Sequence, residues 1–223
     1  MKNVLISGLK KEFDKKLAEI FAREGYKVFA LGEEQVDGVV LLPFDPKEAA
    51  GTLLKDGKHI DIYIDVSDER SESDDFDVRS GLNDLVIREL YEANVIRPMA
   101  MLEVFFPLLE AGESKRICYL TSGEASLNET CGTTGYGYKT AKAGLHNFLQ
   151  ITRNALSVKN YTIRVFDPLF GEFSASSVLT AELSAEAAFN YFIRGRGVER
   201  GDKLRDDENN LVFRDAYGRQ HPW

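Results

Sequence analysis

The sequence predicts an α/β fold of three layers, a doubly wound parallel β-sheet covered by helices on both faces. Three observations predict it. Short apolar runs alternate along the chain with segments of helical period, the pattern of repeated βαβ units. The 223 residues, 43% of them hydrophobic, suit one compact domain, 1–223, with a sizeable core. Runs such as 4–7 and 116–120 end in hydroxyl residues and glycine, at the strand ends where open sheets of this kind place their chemistry.

The elements follow in order. Residues 4–7 form a first strand, after which Phe13, Leu17, Ile20 and Phe21 recur at helical spacing and Gly25 closes the helix as its C-cap. Residues 27–31 form a second strand, and 39–42 and 60–64 the third and fourth, with a short helical segment at 47–55 between them. A long helix over 83–109 is expected to bend at Pro98. A buried strand at 116–120, a helix at 135–156 and a strand at 162–166 come next. The last helix is expected at 184–193, with Ser184 as N-cap, before a closing strand within 210–215.

The formal charge of -8 argues against the basic surface that nucleic acid or an anionic membrane favours. Two cysteines, Cys118 in a core strand and Cys131 in a loop, provide no disulfide framework and point to a reducing compartment. Met1 runs directly into a strand without the apolar region of a signal peptide, and no apolar run approaches membrane-spanning length, so a cytoplasmic protein is expected. His59, His146 and His221 lack metal-ligand spacing, and no metal is expected.

The residues that carry chemistry lie near the middle of the chain. Tyr138 precedes Lys142 by four residues, so a helix sets phenol and ammonium on one face. A nearby cation favours the phenolate and makes the tyrosine a competent acid or base. Upstream, Ser122 follows a buried strand, and the polar Asn94 stands among apolar neighbours in a helical pattern. In this order and at these separations, Asn94, Ser122, Tyr138 and Lys142 resemble the catalytic tetrad of the short-chain dehydrogenase/reductase family, and the resemblance runs through nearly the whole chain as a Rossmann-type domain.

The resemblance implies an NAD(P)-dependent oxidoreductase acting on a small carbonyl or hydroxyl compound. Tyr138 would be the proton donor, and Lys142 would lower its pKa and hold the nicotinamide ribose. Ser122 would hydrogen-bond the substrate oxygen, with Thr121 or Ser126 as alternatives, and Asn94 would anchor a water. It also implies a homodimer or homotetramer, and Trp223 is a candidate interface residue.

Three departures mark the cofactor side. The family's Thr-Gly-x-x-x-Gly-x-Gly turn corresponds to residues 7–14, where only Gly8 is kept and Glu12 and Asp14 replace the later glycines, beside Lys10 and Lys11. The Asn-Asn-Ala-Gly turn corresponds to Asp65, Val66, Ser67 and Asp68, and the acidic stretch that continues through Asp74 to Asp77 reads as a solvated mobile loop. In the substrate loop, Asp167 and Pro168 stand in place of the usual Pro-Gly, Pro168 is kept as a cofactor contact, and Leu169, Phe170, Phe173, Val178 and Leu179 are candidates for an apolar pocket or a packed lid. Glu33 or Glu34 after the second strand leans toward NAD, Lys11 toward NADP, and Asp45 corresponds to an adenine contact. A binding or regulatory module without ordinary dinucleotide binding, and non-redox acid–base chemistry at Tyr138, are the alternative readings.

Overall fold

The computed structural model describes residues 1–169, 179–193 and 210–223. Its elements are β1 (Asn3–Leu9), α1 (Glu12–Arg23), β2 (Lys27–Gly32), β3 (Val39–Leu41), α2 (Pro46–Lys55), β4 (Ile62–Asp65), α3 (Asp84–Tyr91), α4 (Arg97–Glu110), β5 (Arg116–Leu120), α5 (Tyr136–Leu156), β6 (Thr162–Asp167), α6 (Ala181–Ile193) and β7 (Phe213–Asp215). Among the described residues the strands form one sheet of seven in the order β3-β2-β1-β4-β5-β6-β7, and every ladder is parallel.

The pleat divides the core. Alternate residues of a strand point to opposite faces, so Val4 and Ile6 of β1 and Ile62 and Ile64 of β4 meet α1 and α6, through residues such as Phe21 and Phe192. Leu5, Tyr63, Ile117 and Tyr119 point the other way, to α2, α4 and α5, where Leu53, Phe105 and Leu149 cover them. Strand order reverses at β1, since β2 lies on one side of it and β4 on the other. A crevice at such a switch point lies beyond the carboxyl ends of the strands, and here those ends are Leu9, Asp65 and Leu120 with their following turns.

Several boundaries differ from the sequence expectation. The long helix is broken at Glu92–Ile96, a single π-helical turn, rather than at Pro98. Pro98 falls in the first turn of α4, directly after the π-helical turn, whose last amide, that of Arg97, bonds back to the Glu92 carbonyl. Inside the wide turn, Asn94 Nδ2 donates to the Leu90 carbonyl at 3.0 Å. The last helix begins at Ala181, before the expected start, because Thr180 caps it: its Oγ1 accepts the Leu183 N–H at 3.3 Å. Ser184 lies inside that helix and donates instead to the Pro168 carbonyl. Gly25, at φ +85°, does close α1 in the left-handed conformation that favours glycine. Among the described residues, no helix is long and apolar enough to cross a membrane.

Candidate functional site

α5 carries Tyr138 and Lys142 on its buried face, 3% and 0% exposed. Its N-terminus is held by a residue distant in sequence: the Asp74 carboxylate accepts the Gly137 and Tyr138 N–H groups, each at 2.9 Å. These are two of the four amides that a helix start leaves without a partner. The Phe76 ring stacks on Tyr136, and Phe76, Val86 and Leu90 pack around Tyr138. The acidic segment expected as a solvated loop is therefore a wall of the site, because its Asp74 and Phe76 are anchored on α5.

The centre of the site is Asp68. Tyr138 Oη donates to Asp68 Oδ1 at 2.6 Å, and Lys142 Nζ stands 3.2 Å from the same oxygen. Lys142 also donates to the Ser67 carbonyl at 2.8 Å. From the opposite side of the crevice, Lys11 Nζ reaches Asp68 Oδ2 at 2.9 Å and the Asp68 carbonyl at 2.5 Å, while Lys10 pairs with Glu69 at 2.7 Å. The Arg70 guanidinium lies over the Tyr138 ring, 3.8 Å from its centroid, and pairs with Glu124 at 2.8 Å.

These contacts set the protonation states. Burial alone would raise the Asp68 carboxyl, but Lys142, Lys11 and the Tyr138 hydroxyl overcome it and hold the group well below the ordinary carboxylate range. Burial, and then the Asp68 charge, push the Tyr138 phenol well above its ordinary value, with Arg70 pulling the other way. Burial lowers the Lys142 ammonium against the opposing pull of Asp68. In this arrangement Tyr138 is a protonated donor to a carboxylate.

Asn94, fully buried, fastens the backbone beside Asp68. Its Oδ1 accepts the Glu69 N–H at 3.1 Å and its Nδ2 donates to the Glu69 carbonyl at 2.8 Å. Ser122 is half-buried at the end of β5 and accepts the Glu124 N–H at 3.2 Å, opening the 3-10 turn Gly123–Ala125. The alternatives to it are occupied elsewhere: Thr121 is bonded to His146 at 2.6 Å and the Ser126 hydroxyl accepts the Glu129 N–H at 3.2 Å. Burial, followed by the Lys142 charge, lowers His146 to about 3, so its imidazole is neutral.

The turn between β1 and α1 is also satisfied from within. Gly8 has φ +89°, a conformation that favours glycine, and a Cβ there would stand a tight 3.1 Å from Ser67 Oγ. Beyond it the Asp14 carboxylate folds back and accepts the Lys10 and Lys11 N–H groups at 3.0 and 2.7 Å. Burial pushes this carboxyl up to about 7, against the pull of the two amides.

The other expected cofactor contacts lie apart from this centre. Asp45 caps α2 by accepting the Glu48 N–H at 2.9 Å, Glu33 is exposed after β2, and Glu34 pairs with Lys15. Pro168 lies beyond β6, next to Asp167, whose carboxyl accepts the Gly123 N–H at 2.6 Å and the Leu169 N–H at 2.8 Å. Phe170, Gly171, Glu172, Phe173, Ser174 and Val178 lie outside the described residues. Trp223 packs in its own chain, edge-on to His146 at 5.1 Å between centroids, and His221 stacks on Phe213 at 4.7 Å. Among the described residues, no group of three His, Cys, Asp or Glu side chains is placed to hold a metal.

The donors fit a nicotinamide dinucleotide in kind: two turn amides and two lysines suit phosphates, and a phenol beside an ammonium suits hydroxyl or carbonyl oxygens. Asp14 stands in for the phosphate oxygens and Asp68 for the others, so a dinucleotide would have to exchange with both.

No family model matches the chain, and no curated protein matches its sequence. Solved structures share its fold. A carbonyl reductase from Pseudomonas aeruginosa PAO1 is 20% identical with a TM-score of 0.78, covering 100% of each chain. A candidate short-chain dehydrogenase/reductase from Burkholderia multivorans with bound NADP is 17% identical with a TM-score of 0.79, over 100% of this chain and 99% of that one. The NADPH-bound carbonyl reductase from chicken fatty liver is 14% identical, TM-score 0.75, over 100% and 99%.

Proposed function

We propose that the chain is a short-chain dehydrogenase/reductase, an NAD(P)-dependent oxidoreductase that acts on a small carbonyl or hydroxyl compound at Tyr138. The observation that carries this reading is the convergence of the buried Tyr138 hydroxyl and Lys142 ammonium on one oxygen, at 2.6 and 3.2 Å, at the carboxyl edge of the sheet. The shared fold of the reductases supports it.

A bound nicotinamide dinucleotide would supply or accept the hydride. Tyr138 Oη gives its proton to the carbonyl oxygen in the reductive direction and takes it back in the other. Lys142 and Arg70, cations beside and above the ring, stabilise the phenolate that remains. Ser122 holds the same substrate oxygen, and Asn94 keeps the 68–69 backbone in place. Gly8, Lys10 and Lys11 line the phosphate turn. Glu33 leans the preference toward NAD. A cytoplasmic homodimer or homotetramer belongs to the same reading.

A second reading, a binding or regulatory module, is favoured by one specific observation: Asp14 and Asp68 already take the donors that a dinucleotide needs. Calorimetric titration with NADPH and NADH separates the two. Micromolar binding of either supports the oxidoreductase, and silence at millimolar cofactor leaves the second reading. With a reducible carbonyl found by screening, Tyr138→Phe should lower kcat by about 10²-fold or more, and unchanged turnover would refute the assigned proton donor.

A further inference from the structure

We propose that Asp68 is an internal latch: its carboxylate occupies the position of the ligand oxygen at Tyr138 and Lys142, and a dinucleotide binds only by displacing it. The inference rests on the dinucleotide reading above and adds a competitor from the chain itself.

Three donors from two separate elements meet on this one residue. Tyr138 and Lys142 come from α5, Lys11 from the turn after β1, and the residue itself from the segment after β4. Its neighbours strengthen the closure. Glu69 pairs with Lys10 and is clasped at both backbone groups by Asn94, so the 68–69 peptide is fixed against the π-helical turn. Lys10 and Lys11 thus tie the phosphate turn directly to the segment after β4, across the crevice between them.

The exchange is balanced in charge and in hydrogen bonds, which makes it a switch rather than a simple block. A diphosphate arriving at the turn offers Lys10 and Lys11 new anionic partners, and ribose hydroxyls offer new acceptors to Tyr138 and Lys142. Asp68, only part-buried, with its side chain 25% exposed, then turns toward water, where a carboxylate is well solvated. Its departure also removes the charge that, after burial, raises the phenol, while Lys142 and Arg70 remain. Ligand entry and activation of Tyr138 are therefore one event. A ligand with ribose but no phosphate does not compete for the lysines and opens the latch poorly.

The test compares wild type, Asp68→Ala and the equal-sized, uncharged Asp68→Asn by calorimetric titration with NADPH, NADH and nicotinamide riboside. Tyrosine 13Cζ spectra of the free proteins supply a readout that needs no cofactor. The latch predicts at least tenfold tighter binding of one dinucleotide to both variants than to wild type. It also predicts a Tyr138 resonance that moves in both variants and titrates at least one pH unit lower. Equal dinucleotide affinity in all three proteins overturns the latch and leaves the oxidoreductase reading standing. Absence of binding by all three at millimolar cofactor overturns the dinucleotide reading and the gate with it. An unmoved Tyr138 resonance in Asp68→Asn, which keeps the side-chain volume, overturns the contact itself whatever the cofactor does.

Discussion

Asp14→Asn should turn the pH dependence of folding into a measure of the charge that this protein buries in the turn between β1 and α1. Asp14 is 2% exposed, and burial lifts its carboxyl from an ordinary 3.8 to about 7. The folded chain therefore binds the proton more tightly than the unfolded chain, and stability falls as pH rises from 3.8 to 7. The shift of about three units, at about 1.4 kcal/mol each, gives a full penalty on the order of 4 kcal/mol. Asparagine mimics the protonated acid, keeping an oxygen for the Lys10 and Lys11 amides and a donor on the second atom. Integrating over the window, the stability difference between variant and wild type should widen in favour of the variant by about 2.5 kcal/mol between pH 5 and pH 8.5. Urea denaturation of both proteins at several pH values measures that difference directly, free of the other titrating groups they share. A difference that stays constant across the range would refute the reasoning, because Asp14 would then titrate alike in the folded and unfolded chains.

Two further outcomes follow from neighbouring contacts. Asp74→Ala removes the acceptor for two buried amides at the start of α5 and should cost about 2–4 kcal/mol, from the lost cap and the unpaired N–H groups; a urea midpoint within error of wild type would show that water serves those amides equally well. His146, lowered by burial and Lys142 to about 3, refuses the proton that the unfolded chain accepts near 6.5, so its contribution to stability is present above 6.5 and is lost as pH falls toward 3. His146→Gln, which can still accept from Thr121, should therefore lose less stability than wild type between pH 7 and pH 4, and parallel pH profiles would contradict a neutral buried imidazole.

Much of the fold was legible because its signals are local. The period of Phe13, Leu17, Ile20 and Phe21 marks α1 within one helix, and the i, i+4 spacing of Tyr138 and Lys142 places both on one face of α5. Asn94 stood out as a polar residue in an apolar stretch, although its partners, the backbone of Glu69 and the carbonyl of Leu90, did not. The irregularity assigned to Pro98 lies upstream of it, in the π-helical turn around Asn94 that immediately precedes the proline's turn.

The sequence by itself determined the alternation of strands and helices, the buried strand ends, the net negative charge, and the pairing of phenol with ammonium. Only the tertiary structure decided what those groups touch. Asp74 looked like part of a solvated acidic stretch and Asp68 like one more residue of the turn after the fourth strand, since nothing in their spacing distinguishes a buried acid from an exposed one. Their partners on α5 lie 63 to 70 residues further along the chain where hydrogen bonds join them, a separation at which no periodicity operates. Whether a carboxylate is solvated, caps a helix or closes on a phenol and an ammonium depends on which donors the folded sheet brings within about 3 Å of it.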